Sequence, residues 1–151
     1  MISVQELLPN LLKIFVIMVC GGMIGLEREK SHKTAGLRTC LLVGLGATVF
    51  TIIAVLVKDI EGQNALGRIL ACIVSGIGFL GASVVWRNED SIEGITTASV
   101  LWTMVGVGIL VGIGEYILAS IITVCILFVL KLKYLRFKII TLKGKKNNGR
   151  K

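Results

Sequence analysis

Three stretches of the chain carry no charged residue: 39–57, 69–86 and 95–114, of 19, 18 and 20 residues. A helix needs about 20 apolar residues to cross a hydrocarbon core of about 30 Å, so each stretch predicts a membrane-spanning helix. Two further apolar runs flank these three. Residues 7–26 contain a single charge, Lys13, close enough to the start of the run for its ammonium to reach the headgroups. Residues 116–130 number only 15 and span the membrane if Lys131 and Lys133 snorkel in the same way. The pattern predicts an all-α polytopic membrane bundle of about five transmembrane helices. The first run reads as a retained helix, because Glu6 stands where a cleaved secretory signal would carry positive charge.

The polar residues between these runs orient the bundle. Lysine and arginine near helix ends favour the cytoplasm. With the N-terminus outside, one side of the membrane receives Arg28, Lys30, Lys33 and Arg38, then Arg87, then nine basic residues after Leu130. The other side keeps Lys13, Lys58 and Arg68, so the 17 basic residues divide 14 to 3. The expected topology is N-out and C-in, with a membrane domain over 1–133 and a basic cytoplasmic tail over 134–151. That tail interleaves its cations with Tyr134, Leu135, Phe137, Ile139 and Ile140, a composition suited to an anionic lipid surface. It carries nothing that would read bases, so no specific nucleic-acid partner is expected.

Composition agrees with a membrane solvent: 54% of the 151 residues are hydrophobic and mean hydropathy is +0.85. The four cysteines, Cys20, Cys40, Cys72 and Cys125, fall in different hydrophobic segments without metal-ligand spacing. Most of the 18 glycines sit inside the spans, where a missing side chain permits close backbone approach. Gly21 and Gly25, Ala71 and Ser75, Gly78 and Ala82, and Gly108 and Gly112 are each four apart, which puts a groove along one helix face. Gly76, Gly78 and Gly81 complete a G-I-G-F-L-G string that matches a dinucleotide fingerprint by letter. It lies inside an uncharged run, without the preceding strand or the acid about 20 residues on that the fingerprint requires. It reads as helix packing, and no cofactor is expected.

Transporters keep ionisable groups within their spans, whereas the mid-span polar groups here are hydroxyls: Thr48, Thr51, Ser75, Ser83, Thr97, Ser99, Thr103 and Thr123. One histidine, His32, and no nucleophile motif argue against an enzyme. The dense set of charges beside the spans is GLEREKSHKTAGLRT at 25–39. On a continuing first helix, Gly21, Gly25 and the Arg28/Glu29 pair share a face. The stretch is either a structured clamp, with Glu27 or Glu29 paired to Arg38, or a solvated turn.

The strings GLERE, KTAGLRT, LVGLGATVF, IVSGIGFLGASVVWR, GITTASVLW and GVGILVGIGEY, in that order, resemble the membrane domain of the MgtC/SapB family from about Gly21 to Tyr116. The motif positions that carry over are Gly25, Glu27, Arg28, Glu29, Gly36, Leu37, Arg38 and Thr39. Further along they are Ser75, Gly76, Gly78, Phe79, Gly81 and Ala82, then Gly94, Thr96, Thr97, Ala98 and Trp102. The resemblance implies a bacterial inner-membrane protein linked to growth under magnesium limitation, acting through other membrane proteins. Many members of the family continue into a soluble ACT-like domain, for which this sequence has a basic tail instead. Self-association through glycine faces is expected, the identity of any metal is open, and an oligomeric cation transporter is the competing reading.

Overall fold

The computed structural model describes residues 4–61, 63–89 and 91–148, with the side chains of 4–6, 59–61, 63, 65 and 133–148 outside that description. Among the described residues five helices follow one another: α1 (Val4–Lys30), α2 (Leu37–Glu61), α3 (Gln63–Ser83), α4 (Ile95–Ile113) and α5 (Tyr116–Asn148). Four contain stretches long and apolar enough to cross a membrane, namely Leu7–Lys30, Leu37–Lys58, Leu66–Ser83 and Ile95–Ile113. The apolar part of α5, Tyr116–Leu132, is shorter than these four, as the fifth run was in the sequence. The helix continues without interruption past residue 133, and the basic side chains of 134–151 lie outside the described residues. The chain is thus a polytopic helical membrane protein.

One departure from a purely helical chain is a short antiparallel pair between α3 and α4, β1 (Trp86–Arg87) with β2 (Ile92–Glu93). Gly94 makes the turn from β2 into α4 possible. Its φ is 88°, and a Cβ there would lie 1.8 Å from the carbonyl oxygen of Val84, so both the backbone angle and the space require glycine.

Helix α4 is the centre of the bundle, in contact with α1, α2, α3 and α5. Half of its span is buried, against 6% of the α3 span. The tightest seam runs between α4 and α2. A Cβ on Gly108 would meet the Ala47 Cβ at 2.6 Å and the Gly44 oxygen at 2.7 Å, and one on Gly112 would meet Thr51 at 2.5 Å. Backbones can approach this closely only because no side chain stands between them. Helix α1 joins at its C-terminal half, where a Cβ on Gly25 would lie 2.7 Å from the Leu37 Cα and one on Gly21 would lie 3.4 Å from the Cys40 oxygen. Around the seam, Ile17, Ile24, Met104, Val107, Val111 and Ala119 are fully buried. Outward faces of α1 and α5 present large apolar residues such as Leu8, Phe15, Ile117 and Phe128, as lipid contact demands.

Helix α3 packs less closely within the chain than α4 does. Cβ atoms on Gly76 and Gly78 would meet nothing within 4 Å, and one on Gly81 would meet only Ala98, at 3.8 Å. Ala71, Ser75, Gly78 and Ala82, which share a face at helical spacing, are all exposed. The fingerprint-like string is continuous helix throughout.

Candidate functional site

The charged stretch 25–39 is ordered by three separate devices. Helix α1 ends in a Schellman motif. His32 takes a left-handed φ of 50°, its N–H donates to the Glu29 oxygen at 3.0 Å, and the Lys33 N–H donates to the Arg28 oxygen at 3.0 Å. These bonds satisfy carbonyls that the helix end would otherwise leave open. The lone histidine is therefore a helix terminator, at a position that glycine more often fills.

Glu29 provides the second device. Its Oε2 accepts the Leu37 N–H at 3.1 Å, at the first residue of α2. Gly36 precedes that helix and has no side chain to cap it, so a carboxylate from α1 supplies both the acceptor and a negative charge at the positive end of α2. A Cβ on Gly36 would lie 3.4 Å from the same Oε2. The two helix ends are held together by this hydrogen bond and by the Gly25–Leu37 approach.

The third device is a buried charge. Arg28 is 4% exposed and forms an ion pair with Glu27, which also accepts the Ser31 hydroxyl at 2.9 Å. Arg38 is exposed, as are Lys30, His32 and Lys33. The expected pairing of Arg38 with Glu27 or Glu29 does not form: Glu27 is engaged by Arg28 and Ser31 beside it, Glu29 by the Leu37 N–H at the start of α2, and Arg38 is exposed. The stretch is a structured clamp, built from partners other than those anticipated. Between the two helices, Ala35 is buried in a cluster with Ala47, Ile77, Leu101 and Val105, so the turn itself is anchored to α2, α3 and α4.

The remaining motif residues are dispersed. Thr39 is half-buried at the start of α2, and Ser75 is exposed on α3. In the first turns of α4, Thr96 is exposed and Thr97 buried, while Trp102 is 58% exposed. Trp102 lines a cleft of about 320 Å³ with Gly78, Gly81, Ala98, Ser99 and Thr103, between α3 and α4. These residues do not converge with Glu27 and Arg28 on a single pocket. Among the described residues, no group of three or more His, Cys, Asp or Glu side chains could hold a metal ion.

The span hydroxyls act on backbone. Thr51, Thr123 and Ser99 donate to carbonyls four residues earlier, those of Ala47, Ala119 and Ile95. Thr48 does more: its hydroxyl lies 3.0 Å from both the Gly44 oxygen in its own helix and the Gly108 oxygen across the seam. Which carbonyl Thr48 meets across the bundle is signalled by no residue type.

The profile of the MgtC family matches residues 14–136. Protein MgtC of Salmonella typhimurium is 42% identical over 120 residues, covering 78% of this chain and 50% of that protein. Protein MgtC of Brucella abortus is 43% identical over 109 residues, covering 72% and 44%. This chain spans about half the length of the curated relatives it matches. No solved structure matches it.

Proposed function

The chain belongs to the MgtC family, and from that premise we propose that it is a small non-catalytic protein of the bacterial inner membrane that adjusts magnesium or other ion homeostasis through contacts with other membrane proteins. The observation that carries this reading is the filled interior. Met104, Val107, Val111, Thr48, Thr51 and Thr123 are all fully buried, and the three hydroxyls donate to carbonyls. Among the described residues, a single copy with such a core offers no wet path. The glutamates at the end of α1 are likewise occupied, Glu27 by Arg28 and Ser31, and Glu29 by the start of α2.

The 14 to 3 division of basic residues supports an N-out, C-in orientation. In that orientation the charged clamp faces the cytoplasm and the nine cations after Leu130 meet the anionic inner leaflet. Contacts with other helices, from a second copy or from another membrane protein, suit the exposed small-residue face of α3.

The test is reconstitution into liposomes holding a magnesium-sensitive dye, alongside purification of the tagged protein from its native membrane. The proposal expects no protein-dependent flux and a co-purifying membrane protein. Magnesium flux that scales with protein would establish the competing reading, a transporter assembled from several copies.

A further inference from the structure

A groove of about 740 Å³ lies between α2 and α3 on the outer surface of the bundle. Its walls are Leu42, Gly46 and Phe50 from one helix and Cys72, Gly76 and Leu80 from the other. One group at its end differs in kind: Arg68, one turn before the groove-lining Cys72, at the end nearest the α2–α3 turn. We propose that this groove seats one acyl chain of a membrane phospholipid, whose phosphate lies at Arg68.

Length, shape and charge favour this occupant. From Leu42 to Phe50 the wall rises by eight residue steps of helix, about 12 Å at 1.5 Å per residue. The turn of chain that reaches Arg68 brings it close to the depth of one leaflet, about 15 Å of hydrocarbon. Gly46 and Gly76 leave a hollow in facing walls, since a Cβ on either would meet nothing within 4 Å. Leu42 and Phe50 rise beside that hollow, 69% and 55% exposed, so the opening suits a thin flexible chain. A second helix packs best on small residues, and the small face of α3, Ala71, Ser75, Gly78 and Ala82, is turned about 130° from Cys72, Gly76 and Leu80 at 100° per residue. A helix docked there leaves the groove unfilled. At the polar end, Arg68 sits where the α3 apolar stretch begins at Leu66, the level of the headgroups, with Lys58 in the last turn of α2. Arg68 also interacts within the protein, but a guanidinium carries five donors and binds phosphate well alongside another partner. In the N-out orientation this is the outer leaflet, so the site is distinct from any attraction of the basic tail to the inner one.

The experiment is native mass spectrometry of the full chain, washed in mild detergent and titrated with dioleoyl phosphatidylglycerol. Gly46→Leu and Gly76→Leu fill the groove from opposite walls, and Arg68→Ala removes the polar end. The wild type retains bound lipid. Each leucine weakens retention roughly tenfold or more, Arg68→Ala by less, and Gly78→Leu, outside the groove, not at all. Should a leucine variant misfold, coupling a bulky uncharged maleimide to Cys72 in a folded Cys125→Ser protein blocks the same groove and displaces the same lipid. Lipid retained equally by the blocked proteins overturns the proposal. So does a wild-type dimer that the leucines dissociate while lipid binding stays unchanged, because the groove then belongs to a second copy.

Discussion

Helices α3 and α4 both carry glycines in apolar spans, yet the same residue type does opposite things in them. On α4, Gly108 and Gly112 are buried against Ala47 and Thr51 of α2, with less room than a methyl group requires. On α3, Gly76 and Gly78 face open space, and the helix is flanked by a groove on one side and a cleft on the other. Four-residue spacing of small residues creates a flat helix face, but whether that face is used within the chain depends on what the rest of the fold brings to it. In this protein α2 and α4 form the closed centre, and α3 is the helix left with vacant sides.

The comparison is tested hardest at Gly108. Valine there must displace the α2 backbone at Gly44, and such overpacking costs about 3 kcal/mol. The same substitution at Gly78 meets nothing and should change stability by less than about 0.5 kcal/mol. Thermal unfolding in detergent, followed by circular dichroism, separates the two. Equal losses would mean that α3 is packed as tightly as α4.

The clamp repeats the contrast among charges. Glu27→Ala leaves Arg28 buried without its carboxylate, at a cost of about 3 kcal/mol, whereas Arg38→Ala removes an exposed cation and should leave the unfolding midpoint unchanged. An Arg38 variant as damaging as the Glu27 variant would return the pairing to the one the sequence suggested. Smaller again is Glu29→Ala, which strips the cap from the start of α2 and should cost about 1 kcal/mol. Its signature is faster amide exchange confined to the first turn of α2. The smallest effect belongs to Thr48→Val, which deletes the bridge to Gly108 at nearly constant volume. Hydrogen bonds between membrane helices average about 0.6 kcal/mol, so a barely resolvable loss is expected, and a loss comparable to Gly108→Val would show that the hydroxyl rather than the glycines holds the seam.

The spans were legible because charges bracket them: Arg38 and Lys58, Arg68 and Arg87, and Glu93 and Glu115 stand close to the ends of α2, α3 and α4. The glycine pairs were legible as faces but not as contacts. Nothing local tells Gly108 that it will meet Ala47, or Gly78 that it will meet nothing, and Thr48 and Gly108 are 60 residues apart. In the clamp, sequence offered two glutamates and two arginines within reach of one another. Which arginine faces inward follows from the docking of α1 on α2, and that is a property of the whole bundle. The Schellman turn was hidden because its left-handed residue is His32 rather than glycine, the usual marker.

The central claim, a closed centre built on α2 and α4 with α3 at the periphery, is tested most directly by the four native cysteines. Cys20 and Cys40 are buried, and Cys72 and Cys125 are exposed. Mass spectrometry after treating the native protein in mild detergent with a small uncharged maleimide should find modification at Cys72 and Cys125 only, with Cys20 and Cys40 reacting once the protein is unfolded in dodecyl sulfate. Modification of Cys40 as fast as that of Cys72 in the native protein would contradict the account.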